Sequence, residues 1–197
     1  IGFPLMVKAS HGGGGIGIRV VHSIEDLPDA LQRSRSLSQN AFGASGLYLE
    51  RYIEKPSHIE VQVMADQHGN AVHIFERDCS IQRRNQKVIE ETPCVKLKKG
   101  RLKPMYEAAL ALVDHIGYTN AGTVEFLVDD DGHFYFLEMN TRIQVEHPVT
   151  EMTTGIDIVE HQIRIAVNER LGFTQKEVQR RGHSIEARIY PEDPTTY

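Results

Sequence analysis

The sequence has few cysteines, no long apolar run and no excess of positive charge, and each absence excludes a class of protein. Its two cysteines, Cys79 and Cys94, are too few for a disulfide framework. No signal-peptide pattern precedes them, so we expect the cytoplasm, or the mitochondrial matrix in a eukaryote. No apolar segment is long enough to cross a bilayer, and a net charge of -5 with scattered basic residues offers no nucleic-acid surface. We therefore expect neither a membrane nor a nucleic acid as a partner.

The composition is that of a globular protein. Of the 197 residues, 40% are hydrophobic and 25% are charged, which is enough apolar material to bury a core. The chain begins at Ile1 without a methionine, its first residues already have a strand pattern, and it stops shortly after Pro194. These ends indicate a fragment of a longer chain.

The N-terminal part of the chain is predicted to form a small α+β unit. Strands are predicted at 5–9, 18–21 and 47–53, and a helix at 26–40 with Asp26 as its cap. A glycine-rich loop at 12–17 joins the first two strands.

From residue 58 onward the pattern becomes rich in strands. A hairpin is predicted from strands at 58–64 and 71–75 with a turn at 66–70. Helices are predicted at 103–116 and at 158–171, the second with Asp157 as its cap and Gly172 as its stop.

A second hairpin carries the most informative pair of residues in the sequence. Its strands, 123–128 and 134–139, flank the dipeptide Asp131-Gly132, which favours a two-residue turn because both turn positions need positive φ. Counting back from that turn gives the following pairs: Val128 with Tyr135, Phe126 with Leu137, and Glu125 with Glu138. The last pair places two carboxylates on one face of the sheet.

Directly opposed carboxylates repel, so Glu125 and Glu138 indicate a bound cation between them. Magnesium, or manganese in its place, is the expected ion, and Asn140 has its side chain on the same face. Two alternatives remain open: one glutamate is solvated at a sheet edge, or a bulge shifts the register.

The segment 138–148, EMNTRIQVEHP, packs charged and amide side chains at the exit of an apolar strand. Arg142 presents a planar fork suited to a pair of carbonate or phosphate oxygens, and Glu146 beside it is a candidate general base. Each residue alone is compatible with a plain surface, but their density favours a functional site.

Two further segments are candidates for binding anions. The segment 8–17, KASHGGGGIG, leads from strand to strand and so matches neither common phosphate-loop motif. Its backbone N–H groups can still cover a triphosphate beside Lys8, although a plain hairpin loop has the same composition. The segment 76–91, ERDCSIQRRNQKVIEE, is either a solvated ion-pair network or a surface that neutralises an anionic substrate.

Together the glycine loop, the QRRNQK segment and the EMNTRIQVEHPVTE segment resemble the ATP-grasp core of the biotin carboxylase family, over residues 1–194. The resemblance implies an α+β fold with a small lid, residues 1–52, and a nucleotide-binding core with an antiparallel sheet, residues 53–197. It also implies a magnesium-dependent ligase that activates bicarbonate with ATP, through carboxyphosphate, and then carboxylates biotin. The implied partners are a biotin carrier domain or subunit and a carboxyltransferase, with a homo-oligomer expected for the full-length protein.

The resemblance further assigns roles to individual residues of this sequence. Magnesium is expected at Glu125, Glu138 and Asn140. Bicarbonate is expected at Lys87, Arg142, Gln144, Val145 and Glu146. The expected catalytic residues are Lys87, Arg142, Arg188 and Glu146, with Glu146 as the base. Arg188 would stabilise the biotin enolate. ATP is expected at Lys8, Gly13, Gly14, Gly15, Gly17, Glu50, Arg51, Ile53, His58, Gln82, Asn85 and Leu127.

Two positions depart from the family pattern. Ile16 stands where the loop commonly carries Lys or Arg, and Asn85 stands where the family commonly has His. At both positions the sequence resembles the urea carboxylase branch, which includes enzymes that act on guanidine-like substrates. Residues 8–10, in contrast, resemble the acyl-CoA and pyruvate carboxylase branches more closely. The final acceptor therefore stays open, as do a carbamoyl-phosphate synthase-like ligase and an ATP-binding fragment without catalysis. We expect no turnover by the fragment alone.

Overall fold

The computed structural model describes residues 1–10, 18–43, 46–97 and 99–191. The chain forms two compact units, Ile1–Lys55 and Pro56–Tyr197. Among the described residues, no helix combines the length and apolar character needed to cross a membrane.

The first unit is a three-stranded antiparallel sheet that packs against one helix. The strands β1 (Leu5–Ala9), β2 (Arg19–Val21) and β3 (Leu47–Arg51) lie in the order β2-β1-β3. The helix α1 (Leu27–Phe42) buries Ala30 in a small core with Leu5, Val7 and Val21. Asp26 precedes the helix as predicted, but its carboxylate accepts a hydrogen bond from the Ser23 hydroxyl (2.7 Å) rather than capping the helix.

The second unit is a six-stranded antiparallel sheet with helices against both faces. Its strands lie in the order β8-β7-β4-β5-β6-β9 and have the following bounds: β4 (Ser57–Ala65), β5 (Ala71–Arg83), β6 (Gln86–Thr92), β7 (Asn120–Val128), β8 (Phe134–Asn140) and β9 (Ser184–Ala187). The helices are α2 (Lys99–Ile116), α3 (His147–Thr154) and α4 (Ile158–Ala166). One apolar core joins α2 to the sheet through Met105, Ala109 and Val113, and a second joins α4 through Ile158 and Ile165.

Several predicted boundaries in this unit were wrong. The strand predicted to end at residue 75 continues as β5 to Arg83, and its last part forms a hairpin with β6. The helix α4 ends at Ala166, before a left-handed Asn168, instead of at the predicted Gly172 stop. The cap at Asp157 is confirmed, since its carboxylate accepts a hydrogen bond from the backbone N–H of Glu160 (2.8 Å). The helix α3 and the strands β6 and β9 were not predicted.

A β-bulge between β4 and β5 sets the register of the sheet next to the polar site. Val63 lies opposite His73, but Val61 lies opposite Glu76, so β5 carries one extra residue between these pairs. Phe75, in this extra stretch, has a φ of 61°, which is unfavourable by about 1–2 kcal/mol for a bulky side chain. Its ring packs edge-on against Tyr106 and lies 4.7 Å from the Arg180 guanidinium carbon. The shift brings Arg77 opposite Glu60.

The acidic hairpin of β7 and β8 contains two departures that cancel. The loop is one residue longer than predicted, because the Asp129 N–H donates to the His133 carbonyl and Gly132 adopts a φ of 79°. Consequently the predicted pairs of Val128 with Tyr135 and Phe126 with Leu137 were wrong; the observed partners are Phe134 and Phe136. A bulge beyond Phe126 restores the count, and the predicted pair of Glu125 with Glu138 is confirmed.

The turn between β4 and β5 is organised by one buried carboxylate. Asp66 is 3% exposed and accepts hydrogen bonds from the backbone N–H groups of His68, Asn70 and Leu171 and from the Asn70 side chain. Burial by itself raises the pKa of Asp66, but these bonds lower it from 3.8 to about 2.

We predict that Asp66→Asn lowers the free energy of unfolding by about 2 kcal/mol near neutral pH. The pKa of Asp66 is lower in the folded chain, so its stabilisation is complete above the unfolded value of 3.8 and is lost as pH falls through about 2. Urea unfolding at several pH values should therefore show the wild type and the variant converging in acid. Asp114→Asn, at an exposed position on α2, is the control, and an equal effect from it would contradict the prediction.

Candidate functional site

A buried network of charged side chains lies on one face of the central strands of the second unit. The strand β4 contributes Glu60, β5 contributes Arg77, β6 contributes Lys87, and β7 contributes Glu125. The fifth member, Glu146, stands immediately before α3 and is 2% exposed. Charged groups that leave water need partners of opposite charge, and each of these five has at least one.

Arg77 is the most completely enclosed member of the network, with no exposed surface. A guanidinium has five N–H groups. Arg77 directs them at five acceptors: Glu60 at 2.5 Å, Gln62 at 2.7 Å, Thr150 at 3.0 Å, Gln144 at 3.1 Å and Thr123 at 3.2 Å. A single side chain therefore connects β4, β7, α3 and the segment before α3.

Lys87 lies among three carboxylates. Its Nζ is 2.5 Å from Glu60, 2.7 Å from Glu146 and 2.9 Å from Glu125. Although burial by itself lowers the pKa of Lys87, the charges of Glu60 and Glu125 raise it above its ordinary value. The amine is therefore cationic at neutral pH.

Both oxygens of Glu125 have close polar partners. One oxygen receives Lys87 (2.9 Å), Asn140 (2.9 Å) and Gln144 (2.8 Å), and the other lies 2.8 Å from the His58 ring. Burial by itself raises the pKa of Glu125, but His58 and Lys87 lower it to about 2. Glu125 is thus an anion under all ordinary conditions.

The opposed pair Glu125 and Glu138 fits a magnesium ion. Glu138 is exposed, and the Asn140 amide bridges the pair by donating to Glu125 at 2.9 Å and to Glu138 at 3.3 Å. The amide nitrogen thus stands between two carboxylates, and a rotation of the amide would turn its oxygen to the same place. Two carboxylates and an amide oxygen are the hard ligands that magnesium prefers, and the exposed side leaves room for water and phosphate.

Glu146 has a cation at each of its oxygens. Lys87 donates to one oxygen at 2.7 Å, and Arg188 donates to the other at 2.9 Å. Burial by itself raises the pKa of Glu146, but the hydrogen bond and charge of Lys87 lower it below the ordinary value. Glu146 becomes a stronger base when either cation moves away. Arg188 also donates to Glu90 at 2.6 Å.

The other residues predicted for the bicarbonate site lie at the edge of this network. Gln144 is buried between Arg77 and Glu125. Val145 is 60% exposed, and Arg142 is exposed, with its guanidinium donating to the Asn140 amide oxygen and the Ile143 carbonyl at 3.1 Å each. The structure therefore brings the predicted bicarbonate and metal residues together in one place.

The residues predicted to bind ATP in the second unit are divided between this network and a turn. His58 contacts Glu125 and, through its other ring nitrogen, Gln82 at 3.0 Å. Leu127 is half-buried on β7, directly opposite His58. Asn85 is exposed in the turn between β5 and β6, where Arg84 and Asn85 have φ of 53° and 62°. Asparagine tolerates this conformation well, which gives Asn85 a conformational role of its own.

The first unit holds the remaining predicted residues. Lys8 pairs with Glu50 at 2.5 Å, so these two candidates are in contact. Arg51 is exposed, and Ile53 is half-buried. The loop residues Gly13, Gly14, Gly15, Ile16 and Gly17 lie outside the described residues.

Sequence reasoning missed three buried members of the site, namely Glu60, Arg77 and Glu90. In β4, Glu60 alternates with apolar residues, a pattern typical of a strand with one solvated face. Here α3 covers that face, since Thr150 of α3 accepts a hydrogen bond from Arg77. The density of charge along the segment 76–91 was the available signal. It was insufficient because the bulge at Phe75 decides which charges face each other.

Comparison with known proteins agrees with this arrangement. The family model described as the ATP-binding domain of the carbamoyl-phosphate synthase L chain matches residues 1–174. Biotin carboxylase 2 of Bacillus subtilis is 54% identical over the whole chain, which covers 44% of that protein. The biotin carboxylase of a Nostoc species is 54% identical over 98% of the chain, which covers 43% of that protein. The chain thus spans less than half the length of these relatives.

Solved structures give the same result. A biotin carboxylase from Campylobacter jejuni in complex with β-γ-ATP has a TM-score of 0.91 and 49% identity, over 99% of this chain and 44% of that one. The biotin carboxylase domain dimer of the Hydrogenobacter thermophilus 2-oxoglutarate carboxylase, with MgADP, ADP and bicarbonate, has a TM-score of 0.90 and 51% identity, over 99% of this chain and 43% of that one. The fold is therefore the ATP-grasp fold, and the α+β class with its antiparallel sheet is confirmed.

The network makes a prediction about stability. Arg77→Met leaves Glu60 buried with Lys87 as its only cation, so we expect the free energy of unfolding to fall by about 3 kcal/mol. Arg164→Met is the matched control, because Arg164 forms an exposed pair with Glu160 on α4 and its loss should cost only about 0.5 kcal/mol. Urea unfolding measures both, and two equally small losses would contradict the role given to Arg77.

Proposed function

This chain belongs to the family of the ATP-binding domain of the carbamoyl-phosphate synthase L chain, and from that premise we propose that it is the ATP-grasp core of a biotin carboxylase. Within its full-length protein it would carboxylate biotin with bicarbonate and ATP. The observation that carries this proposal is the position of Glu146, a buried carboxylate with one cation at each oxygen, next to the opposed carboxylates Glu125 and Glu138. This arrangement can activate an anionic substrate beside a metal-bound nucleotide.

The two units would divide the binding of ATP. We propose residues 1–52 as the lid, with Lys8 and the glycine loop at the phosphates. Glu50, Arg51 and Ile53 would form the adenine-side connection between the lid and the core. Residues 53–197 would be the core, where His58, Gln82, Asn85 and Leu127 face the nucleotide. Magnesium held by Glu125, Glu138 and Asn140 would neutralise phosphate charge during transfer.

On binding, bicarbonate would accept hydrogen bonds from the cations that otherwise donate to Glu146. In the structure Lys87 and Arg188 contact both oxygens of Glu146, and the hydrogen bond and charge of Lys87 hold its pKa low, which makes it a weak base. An anion that accepts from Lys87 or Arg188 draws that cation away, so the pKa of Glu146 rises as the substrate arrives. Substrate binding and activation of the base are thereby coupled.

The other predicted residues would complete the two half-reactions. Arg142, Gln144 and the Val145 backbone would hold bicarbonate while Glu146 removes its proton and ATP phosphorylates it to carboxyphosphate. Arg188 would then face the biotin enolate, because a guanidinium keeps its charge at every physiological pH and stabilises a developing oxyanion.

The requirements outside this chain are also part of the proposal. Biotin would be presented by a carrier domain or subunit, and a carboxyltransferase would pass the carboxyl group to the final acceptor. The homologous domain of Hydrogenobacter thermophilus is a dimer, which supports a homo-oligomer for the full-length protein. We propose the cytoplasm as its location.

A second candidate function keeps bicarbonate activation and changes the acceptor, as the description of the matching family suggests. In that case ATP cleavage would depend on bicarbonate but not on biotin. Stimulation of ATP cleavage by free biotin in the full-length protein separates the two candidates.

We predict that Glu146→Gln lowers bicarbonate-dependent ATP cleavage by the full-length protein about 100-fold or more, because it removes the general base. Glu138→Gln should raise the magnesium concentration needed for half-maximal activity, because it removes one ligand of the ion. Steady-state ATP cleavage at varied magnesium measures both effects. The control is Glu160→Gln, at an exposed carboxylate of α4, which should leave the rate unchanged. Wild-type rates in both site variants would refute the proposed function.

A further inference from the structure

Glu90 is the one fully buried carboxylate, among the described residues, that leaves an oxygen without a partner. It lies in β6 with no exposed surface; one oxygen accepts from Arg188 at 2.6 Å, and the other has no hydrogen bond. Burying half of a carboxylate without a partner costs free energy. The strand pairing adds to that cost, because a second carboxylate, Glu186, stands directly opposite Glu90 on the neighbouring strand β9. This arrangement needs an explanation other than stability.

A second buried carboxylate in the same sheet shows what a structural role looks like. Glu76 is also fully buried, but both of its oxygens are used. One accepts from the Cys94 N–H, and the other contacts the Tyr106 hydroxyl and Arg180 at 2.8 Å. Glu76 is thus satisfied by its surroundings, whereas among the described residues Arg188 alone donates a hydrogen bond to the Glu90 carboxylate.

Arg188 has two carboxylate partners with different duties. Its Nε donates to Glu90 at 2.6 Å, and a terminal nitrogen donates to Glu146 at 2.9 Å. A guanidinium is planar, so two such contacts fix the direction of its whole fork. Arg188 is partly exposed, with 22% of its side chain accessible, while Glu90 lies entirely beneath it. Glu90 is therefore the inner anchor of Arg188.

The contact with Glu146 cannot hold Arg188 throughout a reaction. If Glu146 takes a proton, it loses the charge that attracts Arg188. The carboxylate also has a second cation, since Lys87 contacts its other oxygen. Without a second anchor, Arg188 would be released at the step that needs its charge. Glu90 is buried away from solvent and has no second cation in the described part of the chain, so its contact with Arg188 would persist through that step.

We propose that Glu90 is a positioning residue that holds the Arg188 guanidinium in its orientation while Glu146 exchanges its own contacts. This role rests on the function proposed above. Glu90 has one unpartnered oxygen and lies opposite Glu186, and both features are unfavourable. The positioning of Arg188 by a charged group would explain why a carboxylate is found here. Burial raises the pKa of Glu90 and so disfavours its charged form, whereas the hydrogen bond and charge of Arg188 act in the opposite direction.

The test uses Glu90→Gln and Glu90→Leu in the full-length protein. Gln keeps the shape and one acceptor but loses the charge-assisted bond, whereas Leu removes the acceptor entirely. We expect biotin-dependent ATP cleavage to fall about 10-fold to about 100-fold, more for Leu than for Gln, because a small misplacement of a catalytic group has effects of this size. The loss should fall on kcat, with the KM for MgATP changed by less than about twofold.

The matched control is Glu91→Gln, the same substitution at the next residue of β6. Glu91 pairs with His183 at 2.9 Å, whereas the carboxylate partners of Arg188 are Glu90 and Glu146. It should keep wild-type biotin-dependent activity. The urea midpoint supplies a second readout, since removing a half-satisfied carboxylate should leave it unchanged or raise it. A lowered midpoint that accounts for the lost activity would assign Glu90 a structural role and overturn the proposal.

A double-mutant cycle with Arg188→Lys decides whether Glu90 acts through Arg188. Lysine keeps the charge but not the planar fork, so Glu90→Gln should reduce activity by less than about twofold further in that background. Multiplicative losses, or full activity of both Glu90 variants alone, would overturn the proposal. A wild-type protein that cleaves ATP without any response to biotin would instead refute the proposed function, and this role with it.

Discussion

The site depends on the enclosure of Arg77, whose five N–H groups each find an acceptor without any access to water. Burying a guanidinium costs much free energy unless all of its N–H groups are paired, so the positions of its acceptors are as restricted as that of the arginine. Glu60 and Gln144 are thereby fixed, and they in turn direct Lys87 and Glu125. The proposed catalytic face therefore rests on a set of side chains that Arg77 holds in one arrangement.

The carboxylates next to Arg77 share a small number of cations. Lys87 serves three carboxylates and Arg188 serves two, so no cation belongs to Glu146 alone. A site with shared cations can respond to an added anion by redistributing them, without a change of fold. Glu90 would limit that redistribution at Arg188, which keeps one cation in place while the other partners exchange.

The acidic hairpin illustrates how far local pattern reaches. Its register was predicted at Glu125 and Glu138, yet two of the three predicted pairs were wrong, because the loop is one residue longer and a bulge compensates for it. The asparagine at the tip of the neighbouring hairpin has a similar ambiguity: it was predicted as a ligand of ATP, and the turn alone also favours an asparagine. Most strands and helices were predictable, apart from the strands β6 and β9, the helix α3, the extent of β5 and the end of α4.

By itself the sequence determined the α+β class and most of the secondary structure, because hydrophobic periodicity and turn dipeptides are local signals. The metal and bicarbonate candidates came from dense polar segments together with a family resemblance. Only the tertiary structure decided that Glu60, Arg77 and Glu90 are buried parts of the site. Two long-range events produced this result: the bulge at Phe75 changed the strand register, and α3 covered a face that the alternating pattern had suggested was open. Burial and pairing of charges depend on which segments meet, and no local pattern encodes that meeting.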